Sequence, residues 1–202
     1  MLLKNLSASA ADFANIVWPA IQHDPLVGGG KIRSVEANAS RDFKDELDLL
    51  AGIDAWQVMN QPGALRGLAS RVQWTDENHR SFTIRYSRPS GAETEYQKRL
   101  MALNARQEGY VFPHLTVQAY LSGQGGPLRS MAVVKTEDLM RAAQFIVTNA
   151  KAPRPAFYGM VPQPDGGQFL YLKWDYLAYK KVPMAIIDLE KPVAAAPAGL
   201  SA

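Results

Sequence analysis

The sequence contains no cysteine. This absence excludes disulfides, thiolate zinc sites and cysteine nucleophiles, and nothing in the composition points to an oxidising compartment. A bound metal ion would therefore need carboxylate, amide, carbonyl or histidine ligands. The three histidines His23, His79 and His114 form no HxxxH or HExxH spacing, so a histidine-rich zinc or iron site is not expected.

Long apolar runs are also lacking. The first residues are interrupted by Asn5, Ser7, Ser9 and Asp12, which leaves no continuous apolar segment of the kind found in a secretion signal. No stretch approaches the ~18 apolar residues of a membrane span. We therefore expect a cytoplasmic protein with no membrane partner.

Length and charge are the next constraints. A chain of 202 residues, 47% of them apolar, predicts a single domain over 1–190, and the Ala/Pro-rich end, 191–202, is predicted to be a disordered tail. The net charge is only +3, but it is unevenly distributed: 33–54 holds six acids and three bases, and 66–106 holds eight bases and four acids. This contrast fits either a metal site beside a phosphate-binding track or two ordinary solvated faces.

Apolar periodicity predicts an α/β (α+β) fold with a central mixed β-sheet flanked by helices. Gly28–Gly30 predicts a turn, and it is not a phosphate loop because Ile32 follows Lys31 where Ser or Thr is needed. Strands at 53–58, 68–74 and 81–88 are expected to form a meander. The other expected elements are an opening helix over 8–22 capped by Ser7 or Ser9 and bent or ended by Pro19, a strand or the start of a helix at 31–37, helices over 94–105 and 136–150 with Thr136 as N-cap, strands over 113–121 and 128–135, and short strands or loops over 155–161, 167–174 and 183–189.

Asp54 and Gln73 are the residues with the most specific spacing. Asp54 begins one predicted strand and Gln73 lies near the end of the next. If these strands pair as a hairpin, both side chains can project from one face toward the same point. A carboxylate and an amide oxygen there would suit Mg²⁺ or Mn²⁺, which lowers the pKa of bound water and neutralises charge on a phosphate.

This pattern resembles the PD-(D/E)XK nucleases, the restriction-endonuclease-like superfamily, in the divergent form found in phages and mobile elements. The resemblance covers roughly residues 36–140. The matching pieces are Gly52-Ile53-Asp54, Val72-Gln73-Trp74, Phe82-Thr83-Ile84-Arg85-Tyr86, Ser90-Gly91, and Glu95 with Lys98.

The resemblance implies a divalent-metal-dependent nuclease that hydrolyses DNA, or RNA, with Asp54, Gln73 and Glu36 as metal ligands. The sequence departs from the superfamily pattern at Thr75, where a lysine usually stands. That catalytic role could pass to Arg85, Arg71 or Lys98, or it could be lost. The expected substrate-binding residues are Arg71, Arg80, Arg88, Lys98 and Arg99.

Two other functions remain open at this point. A missing lysine favours a catalytically inactive nucleic-acid-binding module on the same fold, and a protein-interaction or structural role in a phage or mobile element is the third hypothesis. A homodimer is attractive for a nuclease that cuts two strands, by analogy of fold alone.

Each candidate residue also has an ordinary structural interpretation. Asp54 could cap a turn, Gln73 could be a plain strand residue, and the arginines could form a charged sheet face. The aromatic residues at strand spacing could stack on bases, but that spacing is more typical of core packing. They are Trp56, Trp74, Tyr86, Tyr120 and Trp174.

Overall fold

The computed structural model describes residues 2–35, 52–60, 64–105, 112–149 and 152–190. Its helices and strands confirm a mixed α/β fold with a central sheet. The described helices are α1 Leu2–Asp12, a π-helical segment Phe13–Val17, α2 Trp18–Ile21, α3 Glu95–Asn104, α4 Thr136–Asn149 and α5 Trp174–Tyr179. The described strands are β1 Lys31–Ser34, β2 Ala55–Val58, β3 Leu65–Trp74, β4 Ser81–Ser87, β5 Leu115–Leu121, β6 Leu128–Lys135, β7 Tyr158–Pro162, β8 Gln168–Lys173 and β9 Met184–Asp188.

The strands form two sheets. The central sheet has six strands in the order β1-β2-β3-β5-β6-β9, in which β3 and β5 run parallel and all other neighbours run antiparallel. The second sheet has three antiparallel strands in the order β4-β8-β7. The predicted meander is therefore correct for β2 and β3, but β4 leaves the central sheet and pairs with β8.

The opening helical segment covers one face of the central sheet. Its buried side chains Phe13, Val17 and Ile21 pack against alternate strand residues such as Leu68 and Val117, as period-two alternation on a sheet requires. The helix starts earlier than predicted, so Ser7 and Ser9 lie inside α1 and do not cap it. It ends at Ile21, shortly after Pro19.

The second sheet and two helices cover the other face. Phe82 and Leu172 from that sheet pack with Tyr120 of β5 and with Leu139 and Ala143 of α4. Burying these apolar side chains stabilises the fold, at roughly 25 cal/mol per Å² of apolar surface. The aromatic residues Tyr120 and Trp174 belong to this core and not to a base-stacking surface.

The glycine turn before β1 adopts backbone angles that other residues rarely reach. Gly28, Gly29 and Gly30 all have positive φ. A Cβ on Gly30 would lie 2.3 Å from the carbonyl oxygen of Val58, so only glycine fits there. The buried amide of Gln57 donates to the carbonyls of Val27 and Gly29, at 2.8 and 2.6 Å, and holds the turn against β2.

No described helix is long and apolar enough to span a membrane. The predicted tail over 191–202 lies outside the described residues, as does Glu36.

Candidate functional site

The structure does not bring Asp54 and Gln73 together. The register of the β2–β3 hairpin pairs Ala55 with Leu68, and the Asp54 carboxylate accepts a hydrogen bond from the backbone N–H of Ser70 at 2.6 Å. Gln73 lies three residues further along β3, about 10 Å away at ~3.3 Å per residue. Asp54 therefore extends the pairing of the two strands with its side chain, through a bond to the neighbouring strand and not within a turn.

Gln73 takes part in a chain of side-chain hydrogen bonds between the sheets. Its amide oxygen, the atom that would bind a metal ion, accepts a hydrogen bond from Gln118 Nε2 at 3.0 Å. The Gln118 amide oxygen in turn accepts a hydrogen bond from the Thr83 hydroxyl at 3.1 Å. Because Gln118 is only 1% exposed, this chain joins β3, β5 and β4 through the protein interior.

Glu95 is the centre of a group of charged residues from three elements. Arg71 of β3 donates to Glu95 Oε2 at 2.9 Å, and Nη1 of Arg99 lies 2.7 Å from Oε1. The backbone N–H of Arg85 on β4 also donates to Oε2, at 3.1 Å. Glu95 therefore connects the central sheet, the second sheet and α3 at one point.

The local sequence explains why Glu95 lies there. Thr94 and Gln97 form a capping box, in which the Gln97 N–H donates to the Thr94 hydroxyl and the Gln97 side chain accepts from the Thr94 N–H. Glu95 then occupies the first helical turn, where a negative charge is favourable, and Arg99 follows one turn later.

The environment of Glu95 keeps the carboxylate ionised. Burial opposes ionisation and is the largest single influence on its pKa. The charges of Arg99 and Arg71, with the N–H and charge of Arg85, together outweigh burial and lower the pKa below the usual glutamate value. Glu95 is thus a fixed anion that orients arginines and is poorly suited to accept a proton as a general base.

Arg71 and Arg85 share one aromatic ring. Their guanidinium carbons lie 4.5 and 4.4 Å from the ring centroid of Phe169 on β8. We call these three residues the arginine–Phe169 site. The arginine side chains are 30% and 25% exposed, so they reach solvent while the ring and the neighbouring acids restrict their orientation.

Both guanidinium groups retain donors for a ligand. Within the part of the chain that the structure describes, Arg71 uses side-chain donors on Glu95 and Arg85 uses them on Asp165, at 3.2 Å. A guanidinium has five N–H donors in a planar fork that matches phosphate oxygens. Two such forks held on one ring can bind an anion without first becoming ordered.

The other predicted substrate-binding residues are dispersed. Arg80 pairs with Asp188 through two hydrogen bonds of 2.6 and 3.3 Å, which attaches it to β9. Arg88 is exposed beyond the end of β4, and Lys98 lies on α3. Arg99 is 3% exposed and faces Glu95, so it is internal. Of the expected phosphate contacts, the structure brings Arg71 and Arg85 together.

Two of the three expected metal ligands, Asp54 and Gln73, lie within the described residues. No group of three or more His, Asp or Glu residues that could hold a metal ion occurs within the described ranges. Glu36, the third expected ligand, lies outside them, but Val35 just before it donates its N–H to the Asp54 carbonyl at 3.0 Å. The chain therefore reaches the neighbourhood of Asp54 immediately before Glu36.

No motif of the sequence pointed to Phe169, Gln118 or Asp165 as part of the site. Phe169 and Asp165 come from a hairpin far along the chain, and no local pattern shows that β8 pairs with β4. Glu95 was noted only through the resemblance. The threonine and glutamine of the capping box are the local signal that could have placed it in a first helical turn.

No family model, curated protein or solved structure matches the chain.

Proposed function

We propose that the protein binds nucleic acid through the arginine–Phe169 site, as a binding module that does not cleave its ligand. The observation that carries this proposal is the pair of part-exposed guanidinium groups held on one aromatic ring. Arginine forks bind phosphate oxygens, and guanidinium planes also stack on unpaired bases. Arg88 is exposed just beyond the end of β4, three residues after Arg85.

The described geometry supports binding more strongly than cleavage. The Asp54 carboxylate and the Gln73 amide oxygen both accept protein hydrogen bonds and lie apart. Thr75 stands where a catalytic lysine would be expected. Without a cation placed for the reaction, much of the electrostatic stabilisation of phosphoryl transfer would be missing.

The test is the affinity for labelled single- and double-stranded DNA and RNA, measured by fluorescence anisotropy. Replacing both arginines in Arg71→Gln/Arg85→Gln should weaken binding at least tenfold, because charge-assisted phosphate contacts are each worth about 1.5 kcal/mol or more. The matched control is Arg33→Gln/Lys135→Gln, which removes the same charge from two exposed strand positions outside the site. Equal affinities in the two double variants would refute the proposal.

A metal-dependent nuclease is the second candidate. The hydrogen bond from the Val35 N–H to the Asp54 carbonyl favours it, because it brings the chain beside Asp54 at the residue before Glu36, the third expected ligand. Asp54 with Glu36 would then hold Mg²⁺ or Mn²⁺, and Arg71 or Arg85 would hold the phosphate.

Cleavage assays with Mg²⁺, Mn²⁺ or EDTA test this candidate. Asp54→Asn keeps an oxygen that can accept the Ser70 N–H but removes the charge that a metal ion requires. If the protein is a nuclease, metal-dependent cleavage disappears in this variant while the fold is retained. Full cleavage by Asp54→Asn, or none by the unmodified protein, counts against the nuclease and leaves the binding proposal to its own test.

A further inference from the structure

A second surface combines aromatic and basic side chains around a cavity of about 760 Å³. The end of α4, the segment before β7, and α5 line it. This volume lies within the ~300–1,000 Å³ typical of small-molecule sites. We call this cavity the aromatic basin. Its aromatic and basic lining residues include Phe145, Arg154, Phe157, Tyr176, Tyr179 and Lys180.

The basin exposes more aromatic surface than folding requires. Phe145 is 57% exposed, Phe157 is 42% exposed and Tyr179 is 77% exposed. Below them, the buried rings of Tyr158 and Tyr176 make an edge contact with centroids 5.3 Å apart, so the floor is also aromatic. Large exposed rings gathered around one cavity are typical of a binding surface.

The charge of the basin is positive. Arg154 and Lys180 line it, and no acidic residue is among its lining residues in the described part of the chain. The Lys180 ammonium lies 5.8, 5.9 and 5.7 Å from the rings of Phe145, Tyr176 and Tyr179. These are long cation–π contacts. Among the described residues, Lys180 forms no ion pair with a carboxylate. An adjoining cavity of about 340 Å³ is lined by two further basic residues, Lys181 and Arg141, and by the acidic residue Asp138.

From these features we infer that the aromatic basin binds a nucleoside phosphate, with the base stacked on the exposed rings and the phosphate held by Lys180 and Arg154. A base offers a flat π face to Tyr179 or Phe157. Its phosphate supplies an anion, which neither Lys180 nor Arg154 finds in an ion pair with the described residues. A purely apolar ligand would cover the Lys180 ammonium without giving it a partner, which is costly.

The ligand is either a free nucleotide or one nucleotide unit of a single strand. Both carry the same base and phosphate, and the structure has no residue shared between the basin and the arginine–Phe169 site. The inference therefore does not depend on the proposed function.

The experiment is calorimetric titration of the full chain with adenosine monophosphate, with ribose phosphate and with a short single-stranded oligonucleotide. Tyr179→Ala/Lys180→Gln should weaken binding of the nucleotide or the oligonucleotide at least about fivefold, because stacking on one ring is worth at least ~1 kcal/mol. Tyr179→Phe/Lys180→Arg keeps the ring and the charge and should bind within about twofold of the unmodified protein.

The outcomes separate the alternatives. Binding of the nucleotide itself identifies a nucleotide pocket, whereas binding of the oligonucleotide alone identifies a strand subsite; both support the inference if the variants behave as stated. The inference is overturned if neither the nucleotide nor the oligonucleotide binds, or if Tyr179→Ala/Lys180→Gln binds as tightly as the unmodified protein. It is also overturned if ribose phosphate binds as tightly as the nucleotide. Thermal melts confirm folding, and Arg71→Gln/Arg85→Gln, titrated in parallel, shows whether the proposed function fails separately.

Discussion

Glu95 contacts three arginine residues at the candidate site. It is 18% exposed and accepts contacts from Arg71, Arg99 and the Arg85 N–H. Removing its charge deprives Arg99, only 3% exposed, of the carboxylate with which it pairs among the described residues. We predict that Glu95→Gln lowers the free energy of unfolding by about 3 kcal/mol, measured by urea denaturation, because an unpaired buried charge is costly.

The chain contains a closely matched control. Glu137 also lies in the first turn of a helix and pairs with an arginine four residues later, Arg141, but that arginine is 66% exposed. Exposed pairs at this spacing are worth about 0.5 kcal/mol or less. Glu137→Gln should therefore change stability far less than Glu95→Gln, and similar losses in both would show that Glu95 is an ordinary surface acid.

The stability difference between the unmodified protein and Glu95→Gln should also depend on pH. The folded state lowers the pKa of Glu95, so its stabilising contribution is complete above the unfolded value of about 4.3 and is lost as the pH falls through the folded value. The stability difference between the unmodified protein and Glu95→Gln should shrink below about pH 4. Unfolding measured from pH 3 to 7 tests this, and a constant difference would contradict it.

At the scale of single residues, the short motifs of the sequence did not predict which side chains contact one another. Asp54, Gln73, Arg71 and Arg85 were identified from short motifs, and Arg71 and Arg85 do meet. The spacing of Asp54 and Gln73 did not determine the strand register, because one residue of slip changes which side chains oppose each other. The register places Asp54 beside Ser70.

At the scale of elements, α3 positions the charged residues of the site. Its capping box fixes where the helix begins, and Thr94 is 2% exposed. We predict that Thr94→Ala costs about 1–2 kcal/mol in urea denaturation, because the first turn loses its side-chain acceptor. Thr94→Ser keeps the hydroxyl and should lose clearly less; equal losses would mean that packing of the methyl group, and not the cap, stabilises α3.

Helices and strands were predicted correctly where neighbouring residues carry the signal for them. The helices over 95–104 and 136–149, and the strands β3, β5 and β6, show clear periodicity and turn residues at their ends. The sequence did not predict that β4 belongs to the second sheet, because this depends on pairing with β8, more than eighty residues later. It did not predict α5 as a helix, because six residues are too few to show a helical period.

At the scale of the whole molecule, two sheets meet at the arginine–Phe169 site. Arg71 comes from the central sheet, and Arg85 and Phe169 come from the second one. The net charge of the chain is only +3, so long-range attraction to a polyanion is weak and binding must depend on local contacts. Salt dependence separates these two contributions, because each phosphate contact releases condensed counterions.

We therefore predict that the arginines contribute directly to the salt dependence of binding to a single strand. If Arg71 and Arg85 each contact one phosphate, Arg71→Gln/Arg85→Gln should reduce the slope of log affinity against log salt by about 1.4, since each contact contributes roughly 0.7. Arg33→Gln/Lys135→Gln lowers the net charge equally and should leave the slope nearly unchanged. Weaker binding with an unchanged slope in the arginine variant would mean that these residues act through the packing of the two sheets and do not touch the phosphates.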